Sequence, residues 1–117
     1  EGMGGVMIPL NREESWIDLH AEFSWPAFVA GRGSLGTLNH MFLTIEAMRA
    51  RAIPVAGFAI LTGAAGRAAD ETARENAAMI EDRTGVECLG VVAYDPLRPV
   101  AAWAAGVAWH RLEALIA

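Results

Sequence analysis

The chain contains no lysine, and its nine basic residues are all arginine. A phosphate-binding loop of the G-x-x-x-x-G-K-[ST] type therefore has no place in these 117 residues. Cys88 is the single cysteine, which excludes an internal disulfide and fits a reducing cytoplasm. No apolar run approaches the roughly 18–20 residues that a membrane-spanning helix needs. Basic charge is scarce, and the net charge of −5 argues against nonspecific nucleic-acid binding. An initiator methionine is also missing, and the opening loop has no strand before it. Both features lead us to expect a segment of a longer protein, a single partial domain over residues 1–117.

What is present is apolar and glycine-rich: 54% hydrophobic residues and 12 glycines. A chain of this length can bury roughly 65% of its unfolded surface, enough for a modest core. Short β-like runs alternate with helical stretches. Residues 5–10 read as apolar and extended, ending at Pro9. Trp16, Leu19, His20 and Phe23 recur at helical spacing, with Pro26 as the stop, and the stripe predicts core packing for His20. Residues 27–30 read as a short buried strand. Leu38, Met41, Phe42, Ile45 and Met48 predict an amphipathic helix limited by Pro54. Residues 55–61 form a continuous apolar strand, and residues 63–66 a loop. Asp70 or Thr72 can cap a helix running to Arg83, with Gly85 at its C′ position. Residues 88–93 read as a buried strand, and Pro99 suits the first turn of one last helix through Ile116. Strands alternating with helices imply an α/β fold whose parallel sheet is covered on both faces.

Two glycine-rich segments could carry chemistry. Glu1-Gly2-Met3-Gly4-Gly5 offers one carboxylate beside bare backbone that can approach a ligand closely. The second segment, residues 31–40, follows a strand and opens a helix. Free N–H groups at that helix start, presented by Gly36 and Thr37 and reinforced by the helix dipole, favour an anion. Gly31-x-Gly33-x-x-Gly36 also matches a dinucleotide fingerprint, but the acidic residue required at the end of the next strand is missing, since that strand ends in Leu61-Thr62-Gly63.

Order and spacing of these motifs carry a resemblance. Residues 1–10, E-G-M-G-G-V-M-I-P-L, resemble the V-E-G-A-G-G-x-x-x-P-L stretch of the dethiobiotin synthetase family. Leu35-Gly36-Thr37-Leu38-Asn39-His40 resembles that family's L-G-x-I-N-H, and both are followed by an apolar helix and a strand. Gly85-Val86 and Leu89-Gly90-Val91 fit its T-G-x-x-x-L-G ending. The resemblance implies the C-terminal portion of a P-loop-type three-layer α/β/α fold. It implies a cytoplasmic, homodimeric ligase of biotin biosynthesis that uses ATP and Mg2+ to close the ureido ring of diaminopelargonic acid with CO2. It implies Glu1 as a Mg2+ ligand, with Glu1, Gly2 and Gly4 at the nucleotide. It also implies Gly4, Gly36, Thr37 and Asn39 at the substrate, the last three meeting its carboxylate tail across a dimer interface. The phosphate loop and its catalytic residues would lie outside this segment. The chain departs from the family pattern where Leu61 and Thr62 replace Asn-Asp, Ala93 replaces Pro, and Met3 replaces Ala.

Plainer readings stand beside these. His40 reads as a structural histidine, His110 as a surface residue and Cys88 as a buried structural thiol. Trp103 and Val107 read as core, and Trp109 as a contact to the rest of the domain. Asp18 with Glu22, and Asp70, Glu71, Glu75 and Glu81, read as solvated helix faces. A non-catalytic module kept for dimerisation or fusion is the second functional reading. An amidotransferase or partitioning-type relative of the same fold is the third.

Overall fold

A computed structural model of the chain describes residues 4–62, 67–93, 97 and 100–117. The first helix, α1, spans Trp16–Phe23. Asp18 fastens its start by accepting hydrogen bonds from the backbone N–H (2.8 Å) and hydroxyl (2.5 Å) of Ser15. Ser24 ends it in the left-handed region at φ 54°. Strand β1 is Ala27–Arg32, helix α2 is Thr37–Arg49 and strand β2 is Val55–Leu61. Helix α3 follows over Arg67–Thr84, and strand β3 is Cys88–Val92. Two short helices, α4 (Val100–Ala104) and α5 (Trp109–Ile116), complete the order.

The three strands pair in sequence order, β1-β2-β3, and both pairings are parallel. The α/β class and parallel sheet expected from the alternating pattern are what is observed. Val29, Phe58 and Ile60 form one core with Met41, Ile45 and Met48 of α2 and Ala73, Ala77 and Ile80 of α3. Phe58 is fully buried, and such burial contributes about 1.5–3 kcal/mol. The sheet's other face meets the last segment. Trp109 of α5 packs on Phe28 with ring centroids 5.4 Å apart, and the N–H of Ala108 donates to the carbonyl of Leu89 at 2.7 Å. Arg111 adds an ion pair to Glu87 at the entry to β3.

Several local expectations change. Residues 6–10 form turns, with one isolated antiparallel bridge from Pro9 to Ser15, and not an extended run. Positive φ at Gly4 (85°) and Gly5 (136°) bends the chain before it. The carbonyls of Val6 and Ile8 instead accept the first N–H groups of α1, from Ile17 (2.9 Å) and Trp16 (2.8 Å). In α1 the buried residue is Ile17, while Phe23 is exposed and stacks on Trp25 at 4.8 Å. His20 is half-buried, and its Nε2–H donates to the Trp25 carbonyl at 2.9 Å. Asp18 lies on a solvent-exposed face as expected, and it also binds Ser15 and Arg51, the latter at 3.1 Å. Helix α3 begins three residues before Asp70, so Asp70 and Thr72 lie inside it, while Gly85 ends it at φ 67° as expected. Glu81 is half-buried and accepts the N–H of Cys88 at 2.7 Å. The last helix is broken between Ala104 and Trp109, where Gly90, lacking a Cβ, lets the Gly106 carbonyl press against the sheet. The expected loop at 63–66 and the Trp103 side chain lie outside what is described.

Candidate functional site

The loop from β1 to α2 is built by contacts that admit little beyond glycine. Gly33 donates its N–H to the Leu61 carbonyl at 2.7 Å. A Cβ there would stand 3.2 Å from Ile60 Cγ2 and 3.3 Å from the Ala73 Cβ. Gly36 caps the helix at φ 91°, a left-handed conformation that a side chain would strain. Thr37 is buried, and its hydroxyl proton is shared between the carbonyls of Arg32 and Ser34. The Thr37 N–H also donates to Ser34, at 3.0 Å. Both Thr37 donors are thus spent on holding the loop.

The donors that remain come next. The first bond into the helix runs from the His40 N–H to the Gly36 carbonyl at 3.0 Å. No described acceptor takes the N–H groups of Leu38 and Asn39. They open into a cleft of about 670 Å³, walled by residues 33–39 on one side and by Thr72 and Asn76 of α3 on the other. Asn39 is exposed at its mouth. The arrangement presents backbone N–H groups, an amide side chain and the positive end of a helix dipole, which together suit an anionic group such as a carboxylate.

Of the residues singled out from sequence, Gly36, Thr37 and Asn39 are brought together in this cleft. Gly4 is described and exposed, and it is not among the cleft residues. Glu1 and Gly2, proposed for metal and nucleotide, lie outside the described residues, as does Met3. Among the described residues no group of three His, Cys, Asp or Glu gathers to hold a metal. Thr72 and Asn76 were missed in the sequence. They lie four apart on α3, a spacing that places both on one helix face, but nothing in the sequence says that this face turns toward the β1–α2 loop. His40 stands beside Gly36, 3.6 Å from where a Cβ would be, and is exposed. Cys88 is half-buried, its thiol 3.6 Å from the Gly90 carbonyl, and burial pushes its pKa up, as expected of an inert structural thiol.

Comparison with known proteins agrees with the motifs. A family model described as "AAA domain" matches residues 1–98. An ATP-dependent dethiobiotin synthetase BioD of Rhodopseudomonas palustris is 52% identical over 61 residues, covering 52% of this chain and 29% of that protein. The protein of the same name from Anaeromyxobacter dehalogenans is 38% identical over 96 residues, covering 82% of this chain and 42% of its own. The Brucella abortus protein is 47% identical over 64 residues, covering 55% and 30%. The chain thus spans less than half the length of these curated relatives. With its parallel α/β sheet, its glycine-shaped β1–α2 loop and a match over residues 1–98, the chain belongs to the AAA-domain family, and within it is similar to a stretch of the ATP-dependent dethiobiotin synthetases.

Proposed function

We propose that the intact protein is a dethiobiotin synthetase, a ligase that uses ATP and Mg2+ to form dethiobiotin from diaminopelargonic acid and CO2. One amine of the substrate takes up CO2 as a carbamate. Phosphoryl transfer activates the carbamate, and the second amine closes the ureido ring with release of phosphate. Such chemistry depends on positioning and charge neutralisation more than on covalent catalysis by the protein. The observation that carries the reading is the cleft at the start of α2, whose uncommitted N–H groups suit the carboxylate tail of that substrate. In this role Leu38 and Asn39 supply the donors, Gly36 lets the chain turn tightly, and Thr37 locks the turn. Tail binding fixes the diamine end by leverage from a remote, non-reacting group.

Glu1 is proposed as a Mg2+ ligand, since a carboxylate is a hard oxygen donor suited to that ion, with Gly2 and Gly4 beside the nucleotide. When bound, Mg2+ and ATP would supply the phosphoryl group and neutralise its charge. A homodimer that shares the tail cleft, in a reducing cytoplasm, completes the reading. The single half-buried thiol fits that compartment, and no described helix is long and apolar enough to cross a membrane.

The test is ATP hydrolysis by the full-length protein, with and without diaminopelargonic acid and bicarbonate, together with detection of dethiobiotin. Turnover that requires the diamine is expected. Its absence in a protein carrying an intact phosphate-binding loop overturns the enzymatic reading. Leu61, Thr62 and Ala93, which depart from the family's Asn-Asp and Pro, favour the second reading of a non-catalytic module. That reading requires the upstream sequence to lack G-x-x-x-x-G-K-T.

A further inference from the structure

The sheet has two edges, β1 and β3, and the chain treats them differently. At β3 the first outward-facing backbone groups are spent within the chain. The N–H of Cys88 donates to the Glu81 carboxylate at 2.7 Å, and the carbonyl of Leu89 accepts the Ala108 N–H at 2.7 Å. Arg111 pairs with Glu87 beside them. A further strand on that side would have to displace the last segment.

At β1 the ladder decides which groups are spent. In a parallel sheet, alternate residues direct both backbone groups to one neighbour, and the residues between them face the other way. Ala27 donates to the Pro54 carbonyl and Gly33 to the Leu61 carbonyl, each at 2.7 Å. Val29 and Gly31, two and four residues beyond Ala27, sit in the same phase opposite Phe58 and Ile60. Phe28, Ala30 and Arg32 therefore face away from β2. The Arg32 carbonyl is taken by the Thr37 hydroxyl. Among the described residues, no strand pairs with the N–H and C=O groups of Phe28 and Ala30.

Natural sheets blunt a free edge with charge, proline or extreme shortness. Strand β1 reads Ala-Phe-Val-Ala-Gly-Arg, with no proline and its one charge at the last position. Both of its faces are also covered. Ala27 and Val29 are buried in the core with α2, and Phe28 lies against Trp109 on the opposite face. An apolar strand covered on both faces has the character of an interior strand of a parallel sheet. The chain spans less than half the length of its curated relatives, so such proteins have chain enough for more strands. A second copy is a poorer occupant. Two-fold symmetry would make a β1–β1 pair antiparallel, against a sheet that is otherwise parallel.

We propose that the outer edge of β1, at Phe28 and Ala30, receives a parallel strand from the part of the intact polypeptide outside these 117 residues. The sheet then grows from β1 only, and the loop after the added strand opens beside the Gly31-to-Gly36 turn, at the edge where parallel sheets bind ligands. This holds whether or not the protein is a synthetase.

The experiment is residue-resolved hydrogen exchange by NMR on the full-length protein, with contacts between amides across β1 and with mass measured over a range of concentrations. The amides of Phe28 and Ala30 are expected to exchange about a hundredfold or more slower than loop amides, as Val29 and Gly31 do. Their cross-strand contacts should fall on residues outside the 117, in a parallel pattern, in the monomer as well as in any oligomer. Ala30→Pro removes one outward N–H and leaves the β1–β2 ladder whole, so it should lower the melting temperature by about 5 °C or more. Loop-like exchange at Phe28 and Ala30 overturns the proposal. So do antiparallel contacts, contacts confined to this segment, and protection that appears only as the protein associates, which assigns the edge to a second copy. A folded Ala30→Pro variant with the wild-type melting temperature overturns it as well. Should that variant fail to fold, the wild-type exchange and contact pattern decides.

Discussion

Arg51 donates from Nε to Oδ1 of Asp18 at 3.1 Å, tying the first turn of α1 to the turn between α2 and β2. The same carboxylate already accepts two bonds from Ser15. The Ser15 hydroxyl, the Ser15 N–H and the Arg51 guanidinium, in that order, pull its pKa down from the ordinary 3.8 to about 2. A depressed folded-state pKa gives stability that is fully present above the unfolded value and lost as pH falls. The melting temperature is expected to lose this contribution between about pH 4 and about pH 2. In Asp18→Asn the acid limb of the stability curve flattens over that window, with little change in its slope near neutrality. A wild-type slope in the variant would contradict the assignment.

Thr37 separates a structural role from direct contact with the ligand. Its hydroxyl serves the carbonyls of Arg32 and Ser34 in a buried position. Thr37→Val keeps the shape but leaves those acceptors without that donor, at a cost of about 1–3 kcal/mol. Thr37→Ser keeps the donor and should lose less. Urea unfolding of both variants measures the difference. Equal stability of the two would mean that the hydroxyl does not hold the loop.

Asn39 is the complementary case, being exposed and outside the core. Asn39→Asp should leave the melting temperature near that of wild type, because an acidic residue suits the first turn of a helix. It should raise the KM for diaminopelargonic acid by about tenfold or more, because a carboxylate then faces a carboxylate and a hydrogen-bond donor is gone. Steady-state kinetics on the full-length protein checks this, and an unchanged KM would remove Asn39 from the tail site.

Gly90 tests how the last segment is seated. A Cβ on it would stand 2.2 Å from the Gly106 carbonyl oxygen, a backbone atom that cannot swing aside. Gly90→Ala should therefore destabilise the fold by about 1–3 kcal/mol through overpacking, read from denaturant midpoints. It should also loosen Trp109 from Phe28, visible as a red shift of tryptophan emission. A midpoint like that of wild type would show that the segment can move away from the sheet at no cost.

Much of this fold was legible because its signals are periodic and local. Residues 55–61 match β2, and the Leu38-to-Met48 stripe lies within α2, because continuous apolar runs and i, i+3, i+4 spacing report burial directly. The break in the last helix was not legible. It arises from the fit of Gly106 against Gly90, a contact between distant positions that leaves no local trace. Asp70 was misread for a related reason. Taking it as a possible cap placed it at the helix boundary, whereas a start three residues earlier puts it within the first turn, half-buried. The cleft was half legible: Gly36 and Asn39 announce a helix start, while Thr72 and Asn76 enter it only through packing.

The parallel pairing of β1 with β2 has a consequence for how such a protein can change over generations. Strands that run the same way deliver their connecting loops to the same side, while the residues that sustain the core lie along the strands and the inner faces of the helices. Substitutions at Asn39, Thr72 or Asn76 can retune what the cleft accepts without unpairing a strand. Substitutions at Gly33, Gly36 or Thr37 cannot, because each holds the loop in shape. Ligand preference is free to drift at the first three positions, while the last three anchor the architecture.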